Sequence, residues 1–169
     1  MQNKINLGII GKNFGYHVIY KSFLKNKKYK IKGFCYKSKK KEKIKILKGV
    51  KIYSDWRELI LDKKINAIAV ATPPSTHKHI ISFAIKNNKH IFCEKPLTRS
   101  YQEASTICNL IRRKKNLSHI VNYEFGEINA FYFFKKKIIN KIKINRVDLN
   151  WFININKRSN SHWKENHLK

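Results

Sequence analysis

The regular alternation of short apolar segments with amphipathic segments constrains the fold of this chain more than any other feature. The apolar segments are rich in isoleucine and valine, as expected of strands that are buried on both faces. The segments between them repeat their apolar residues at helical spacing. Strands and helices in alternation predict an α/β fold built on a doubly wound parallel sheet. The predicted strands are 5–10, 29–36, 50–53, 65–71, 90–93 and 118–123, and the predicted helices are 16–24, 41–48, 54–60, 75–88 and 100–114.

Helix starts can be assigned from residues whose side chains accept a hydrogen bond from a backbone N–H group. Ser54 or Asp55 is expected to cap the helix near residue 56, and Ser75 or Thr76 is expected to cap the following one. These caps place each helix directly after a predicted strand, as the alternating pattern requires.

A glycine-containing turn follows the first predicted strand. The segment Gly11-Lys12-Asn13-Phe14-Gly15 separates that strand from the predicted helix 16–24. Gly11 permits a tight turn, and the backbone amides at the start of the helix can bind a pyrophosphate. Asn13 stands where a second glycine is expected, and asparagine tolerates positive φ better than most residues. The two glycines are equally consistent with a purely structural turn.

The segment after the second predicted strand bears on which dinucleotide such a turn would bind. An acidic residue about 20 residues beyond the glycine turn commonly binds the ribose of NAD. Here the chain reads Lys37-Ser38-Lys39-Lys40, and the first acidic residue is Glu42. A hydroxyl group and ammonium groups suit the 2′-phosphate of NADP better. A solvated run of charges explains the same residues equally well.

The segment 90–97 combines an apolar strand with an abrupt charged end. Ile91, Phe92 and Cys93 are followed by Glu94-Lys95-Pro96. The proline disfavours the α region for Lys95, so the lysine is expected to be extended at the end of the strand. Ligands of open α/β sheets bind at the carboxyl edge of the strands. An ordinary solvated turn is the alternative interpretation.

The charge of the chain is extreme, with 38 Lys and Arg residues against 10 Asp and Glu residues and a net charge of +28. Such a charge favours binding of polyanions. The excess is almost all lysine, is spread along the whole chain and accompanies many Asn and Ile residues. This pattern favours codon bias of an AT-rich genome over a specific nucleic-acid surface, for which no base-reading motif is present.

The cysteines and the apolar runs indicate the cellular compartment of such a chain. The three cysteines are widely spaced, so we expect buried, reduced thiols in a cytoplasmic protein, with neither a disulfide framework nor a metal site. No apolar run reaches the length of a membrane span, and the amino terminus lacks a signal-peptide pattern. The cysteines are Cys35, Cys93 and Cys108.

Four segments, taken together, resemble the Gfo/Idh/MocA oxidoreductases, the relatives of glucose–fructose oxidoreductase and inositol dehydrogenase. The most specific feature is Thr72-Pro73-Pro74 with His77, followed about 17 residues later by Glu94-Lys95-Pro96. The resemblance covers residues 1 to about 125 and continues more loosely to the end. The four segments are Leu7–Gly15, Ser54–Leu59, Ala69–His77 and Phe92–Leu97.

The resemblance implies a Rossmann domain over residues 1–123 that binds NAD or NADP and exchanges a hydride with a sugar- or cyclitol-like alcohol. It implies that Lys95 contacts both cofactor and substrate and is catalytic, since an ammonium near the reacting hydroxyl stabilises the developing alkoxide. The other implied contacts are Gly11, Asn13, Phe14 and Gly15 at the pyrophosphate, Lys37 and Ser38 at the adenosine ribose, Thr72, Pro73 and His77 at the ribose or nicotinamide half, and Glu94 at the nicotinamide ribose.

The last third of the chain departs from the family pattern. Gly126 and Asn129 stand where the family has an arginine and a proline, and the family's catalytic histidine has no counterpart. Residues 124–169 are therefore expected to form a linking helix (127–140) and the first strand (143–154) of an incomplete α+β substrate domain. The sequence indicates a truncated enzyme with impaired turnover. The alternatives are a non-catalytic remnant of a longer gene, or half of a split enzyme whose partner chain supplies the missing domain. Without such a partner, the unpaired apolar strand would favour self-association.

Overall fold

The computed structural model describes residues 4–37, 44–124, 128–139, 146 and 148. The chain divides into two compact units, Met1–Phe125 and Gly126–Lys169. The first unit contains the sheet and the residues that the sequence predicts for a cofactor site.

A parallel sheet forms the centre of the first unit. Its strands, within the described residues, follow the order β3-β2-β1-β4-β5-β6, and each neighbouring pair is parallel. The strand order reverses between β1 and β4, which makes the sheet doubly wound and confirms the predicted fold class. The strands are β1 (Ile5–Ile10), β2 (Tyr29–Cys35), β3 (Lys51–Tyr53), β4 (Ala67–Val70), β5 (His90–Glu94) and β6 (His119–Asn122).

Helices connect successive strands except β2 and β3, between which the described residues form no helix. The first one, α1, comprises a π-helical stretch Gly15–Tyr20 and an α-helical stretch Lys21–Lys25. The others in this unit are α2 (Trp56–Leu61), α3 (Pro74–Lys86) and α4 (Tyr101–Arg112).

The central strands are buried because helices cover both faces of the sheet. In β4, Ile68 and Val70 belong to a core cluster shared with α2, α3 and α4, whereas Ala67 and Ala69 belong to the cluster that contains residues of α1. All four of these side chains are at most 6% exposed. The alternation of side chains along one strand thus contributes to two separate cores.

The helix predicted over 41–48 is wrong over the part of that range that is described. Residues 44–47 have no regular secondary structure. The Tyr16 hydroxyl donates to the Lys45 carbonyl oxygen (2.9 Å), and the Leu47 N–H group donates to the Tyr20 hydroxyl (2.8 Å). Tyrosines of α1 therefore satisfy backbone groups that a helix would otherwise pair internally, and Ile46 packs against the α1-side core.

Of the two predicted helix caps, one is confirmed and the other is wrong. Asp55 caps α2, since its carboxylate accepts from the Arg57 N–H group at 2.8 Å. Neither Ser75 nor Thr76 caps α3, because that helix begins at Pro74 with Pro73 as its cap residue. A proline in the first helical position has its φ angle already set for the helix and lacks the N–H group that would need a cap.

The three cysteines are free thiols, but the prediction that all are buried is wrong for one of them. Cys35 and Cys93 are buried in strands, whereas Cys108 is exposed on α4. Ile107 is fully buried and occupies the inward position on that helix, so its neighbour in sequence faces solvent. Burial raises the pKa of the Cys93 thiol to about 12 and that of Cys35 to about 11, which keeps both protonated.

In the second unit, the described residues form α5 (Asn129–Phe134), which continues as a π-helical stretch Lys135–Ile139. This helix falls within the predicted linking helix. Of the predicted strand 143–154, Arg146 and Asp148 are described, and neither lies in a strand. Across the described part of the chain, every helix is too short or too polar to span a bilayer.

Candidate functional site

The candidate site lies at the carboxyl edge of the sheet, where β1, β4 and β5 are neighbours. Adjacent strands of a sheet are about 4.8 Å apart, so the segments that follow these three strands start close together. The segments after β1 and β4 lead to helices on opposite faces of the sheet, since the order reverses between them. This arrangement opens a crevice at the sheet edge.

Gly11 forms the turn after β1 and packs directly against the end of β4. Its φ angle is +129°, and a Cβ atom added there would lie 2.6 Å from the Ala71 carbonyl carbon. The Gly11 N–H group donates to the Cys35 carbonyl oxygen (2.9 Å), and the Ala71 N–H group donates to that of Ile10 (2.8 Å). Both the backbone angle and the packing therefore require glycine at this position.

The start of α1 faces solvent at the crevice. Asn13 and Phe14 are exposed, and Phe14 has right-handed helical angles. Among the described non-glycine residues, the one with positive φ is Asn88. Asn13 therefore does not use the left-handed region, and its tolerance of positive φ does not explain its place in the turn. A Cβ atom at Gly15 would lie 3.6 Å from the Ala71 Cβ atom, an ordinary contact, so the protein itself leaves room there.

The segment after β4 contains Thr72 and Pro73. The Thr76 hydroxyl donates to the Pro73 carbonyl oxygen at 2.8 Å and lies 2.7 Å from the Thr72 hydroxyl. Thr72 is half-buried, and Pro73 is exposed. These contacts fix the segment at the start of α3, beside the Gly11 turn.

His77 is buried beneath this edge, with 0% of its side chain exposed. Its Nε2 atom lies 2.8 Å from the Thr72 carbonyl oxygen, and its Nδ1 atom lies 3.0 Å from the Pro96 carbonyl oxygen. Each ring nitrogen thus lies within hydrogen-bonding distance of the backbone of one of the two segments that flank the crevice. The sequence singles out this residue, but not its buried position.

Glu94 ends β5, and Asn122 at the end of β6 holds its carboxylate. The Asn122 Nδ2 atom donates to Glu94 Oε1 at 2.6 Å. Burial raises the pKa of Glu94, which is 8% exposed, while the Asn122 hydrogen bond and the nearby Lys95 ammonium act in the opposite direction. Lys95 is exposed and is joined to Pro96 by a cis peptide bond.

Asn122 is a site residue that the motif-based prediction misses. In the sequence it stands near the end of the predicted strand 118–123. A usable signal is its register, since Glu94 pairs with Asn122 in the β5–β6 ladder. Polar residues that end neighbouring parallel strands meet at the same edge of the sheet.

The predicted adenosine-ribose contacts follow β2. Lys37 is exposed and lies two residues after the end of that strand. Ser38 lies outside the described residues. Because β2 is the neighbour of β1, Lys37 starts on the same carboxyl edge as the Gly11 turn.

Comparison with known proteins identifies the family that matches this part of the chain. Residues 5–123 match the Gfo/Idh/MocA model, described as an oxidoreductase family with an NAD-binding Rossmann fold. The chain belongs to this family. The predicted resemblance is therefore confirmed, and the match ends one residue after β6.

Individual Gfo/Idh/MocA relatives and similar structures align with part of their own length. The chain is 36% identical over 85 residues to levoglucosan dehydrogenase from Pseudarthrobacter phenanthrenivorans, a match that covers 50% of this chain and 22% of the relative. The fold is similar to scyllo-inositol dehydrogenase from Lactobacillus casei with bound NAD(H) and scyllo-inositol (TM-score 0.68, 18% identity, 79% of this chain and 40% of that chain). It is also similar to biliverdin reductase from Synechocystis in complex with biliverdin and NADP+ (TM-score 0.66, 20% identity, 79% and 42%).

Proposed function

We propose that this chain binds NAD or NADP across the crevice between β1 and β4, and that it serves hydride transfer between the nicotinamide and a sugar- or cyclitol-like alcohol. The observation that carries the proposal is the position of three segments at the carboxyl edge of the sheet: the Gly11 turn and the Thr72-Pro73 segment at the switch point, and Glu94-Lys95 at the end of the next strand. Membership of an NAD-binding oxidoreductase family supports it. The polyol substrate class is supported by a relative that acts on levoglucosan and a similar structure that contains scyllo-inositol.

The proposed pyrophosphate contacts are the turn and the start of α1. Gly11 brings the backbone against the end of β4, and Gly15 leaves the start of α1 without a side chain at that position. Asn13 and Phe14 are exposed between them. Backbone N–H groups at such a position bind phosphate oxygens, and the net positive charge of the chain favours the same anions.

The proposed nicotinamide half lies between the segments after β4 and β5. Thr72 and Pro73 form one wall, and Glu94 accepts from the hydroxyls of the nicotinamide ribose. The bound dinucleotide supplies the site that accepts or donates the hydride. A neutral Lys95 amine would take up the proton of the alcohol during oxidation. The ammonium formed in this way would stabilise the alkoxide by its charge and would return the proton during reduction.

Within this proposal, NADP is favoured slightly over NAD. Lys37 is exposed at the carboxyl edge of the sheet next to β1, where its ammonium suits a 2′-phosphate. Both cofactors occur in similar folds, NAD(H) in one structure and NADP+ in another. A cytoplasmic location is also proposed, because the three cysteines are free and a reducing compartment keeps them so.

Titration of the full chain with NADH and NADPH tests the proposal. Fluorescence of the reduced nicotinamide should change and saturate at about 0.15 M salt, an ionic strength at which non-specific binding to surface lysines is largely screened. We expect tighter binding of NADPH than of NADH. Absence of binding by both dinucleotides at millimolar concentration would refute the proposed function.

A pair of lysine variants separates the role of Lys95 from the general charge of the chain. Turnover of the wild type is expected to be low, since the sequence indicates an impaired enzyme. Lys95→Met should abolish the cofactor reduction that the wild type supports with scyllo-inositol, myo-inositol or levoglucosan while leaving dinucleotide binding measurable. Lys86→Met is the matched control, because Lys86 is also exposed but ends α3 at the opposite edge of the sheet. Equal activity in the two variants, at a level above background, would remove Lys95 from the proposed chemistry.

A further inference from the structure

The ring of His77 joins the two segments that flank the proposed nicotinamide site. The Thr72 carbonyl oxygen, 2.8 Å from Nε2, belongs to the segment after β4. The Pro96 carbonyl oxygen, 3.0 Å from Nδ1, belongs to the segment after β5, one residue beyond Lys95. His77 itself lies in the first turn of α3. One side chain therefore spans the gap between the ends of neighbouring strands.

The surroundings of the ring distinguish this bridge from ordinary core packing. The nearby Cys93 sulfur lies 3.5 Å from Nδ1, and its thiol donates to the Glu94 carbonyl oxygen at 3.0 Å, so it is not needed as a donor to the ring. The ring is shielded from water, with 0% of the side chain exposed. An apolar residue of the same size would leave at least one of these carbonyl oxygens without its donor, which is unfavourable in a buried position.

We propose that His77 is a positioning residue that fixes the segment carrying Lys95 relative to the segment carrying Thr72. Instead of the direct contact that the resemblance implies, His77 acts through the backbone, because its ring is enclosed and each nitrogen lies beside a backbone carbonyl oxygen. Its effect is on the width of the nicotinamide half of the site. This inference rests on the proposed function, since the distance that it sets matters only if a dinucleotide lies between the two segments.

Two amide variants each keep one end of the bridge. The amide nitrogen of His77→Gln can take the place of Nε2 and keep the contact to Thr72, whereas that of His77→Asn can take the place of Nδ1 and keep the contact to Pro96. Both remain polar and no larger than histidine. His79→Gln is the matched control, because His79 lies on the same helix and is exposed.

The readout compares NADPH with ADP, which contains the adenosine and pyrophosphate groups but lacks the nicotinamide half. With either bridge variant, the Kd for NADPH should rise about tenfold, the factor expected from losing a buried hydrogen bond and leaving its partner unsatisfied. The Kd for ADP should change by less than about twofold. His79→Gln should change neither value. If His77 only stabilised the fold, the variants would raise the Kd values of NADPH and ADP together or would change neither.

The outcomes separate this inference from the proposed function. Failure of the wild-type chain to bind NADH and NADPH would refute the proposed function. Wild-type binding together with unchanged NADPH affinity in both bridge variants, or with equal losses of NADPH and ADP affinity, would overturn the role of His77. If neither variant folds, NMR of the wild-type chain decides: the His77 ring nitrogen signals should shift on addition of NADPH and not of ADP, and no difference between the two ligands would overturn the inference.

Discussion

Replacement of Gly11 by alanine tests whether the turn after β1 is constrained by the protein itself. The added methyl group meets backbone atoms at the end of β4, including the Ala71 carbonyl carbon at 2.6 Å and the Thr72 nitrogen at 3.1 Å. Neither contact involves the flexible end of a side chain. The chain must therefore move β1 and β4 apart or change the φ angle of +129°.

The expected cost combines two effects. A non-glycine residue held in a sparsely populated region of φ and ψ costs about 1–3 kcal/mol. Inserting a methyl group into a tightly packed position costs about 1–3 kcal/mol more. Gly11→Ala should therefore lower the free energy of unfolding by about 4 kcal/mol, a large part of the roughly 5–15 kcal/mol of a typical domain.

Gly15→Ala is the matched control, because it adds the same methyl group four residues later. Its Cβ atom would make ordinary contacts of 3.6 Å to Ala71 and 3.7 Å to Ile9, without a positive φ angle. Alanine reduces the entropy of the unfolded chain, so the free energy of unfolding should stay the same or rise by about 0.4–1 kcal/mol. If the pyrophosphate lies against this residue, Gly15→Ala should nevertheless weaken NADPH binding.

Urea denaturation followed by circular dichroism measures both free energies of unfolding, and nucleotide titration measures binding. Gly11→Ala should lower stability and binding together, whereas Gly15→Ala should lower binding alone. A Gly11→Ala protein whose stability lies within about 0.5 kcal/mol of the wild type would show that the close approach of β1 and β4 has been misjudged, since surface changes give values of that size.

Three further changes test contacts around the sheet. Because burial raises the folded-state pKa of Glu94, its charge opposes folding above that pKa. Glu94→Gln should therefore raise the free energy of unfolding at pH 7. This gain should vanish below the ordinary carboxyl pKa of 4.5, where Glu94 is protonated in both the folded and the unfolded wild type. A gain that persists at low pH would contradict this reasoning. Lys89 is 7% exposed, and its ammonium donates to the carbonyl oxygens of Asp62 (2.9 Å) and Ile65. Lys89→Met should lower the urea midpoint, because two carbonyl groups left without a donor reduce the free energy of unfolding by about 1–3 kcal/mol. An unchanged midpoint would show that the Lys89 hydrogen bonds do not stabilise the fold. Asp55→Ala should lower the free energy of unfolding by about 1 kcal/mol through loss of the α2 cap, whereas Asp55→Asn should stay close to the wild type. Equal losses in the two variants would indicate that the charge of Asp55, and not its capping hydrogen bond, stabilises the helix.

The sequence predicts the sheet well because each strand is marked by its own residues. The observed strands lie within one or two residues of the predicted bounds, since most buried positions are filled by apolar residues in short runs. Local composition predicts a helix over the segment 44–47, which the structure does not form. The actual conformation depends on hydroxyl groups of Tyr16 and Tyr20, 29 and 27 residues away, which no local pattern can indicate.

The candidate site shows the same division between local and long-range information. The Gly11 turn, the Thr72-Pro73 segment and the Glu94-Lys95 pair are recognisable because each is a short motif at the end of a strand. Asn122 escapes motif-based prediction because its importance comes from pairing β6 with β5, which depends on strand order. The position of His77 depends on which side of α3 faces the sheet and on the path of the chain near Pro96. Motifs therefore indicate which residues matter, and topology determines how they act.

Lys95 shows why such a mixture of rigid and exposed groups suits the proposed chemistry. The chain on one side is fixed by Glu94, which is 8% exposed and held by the strand β6, and on the other side by Thr98, whose hydroxyl donates to the Ser100 carbonyl oxygen at 2.9 Å. The carbonyl group of the residue after Lys95 is held by His77. The Cα position of the lysine is thus determined from several sides, while its side chain is exposed. The fixed backbone restricts the Lys95 ammonium to a small region. The long side chain lets the ammonium reach both a nicotinamide ribose and an alcohol oxygen, as a group that contacts both cofactor and substrate must.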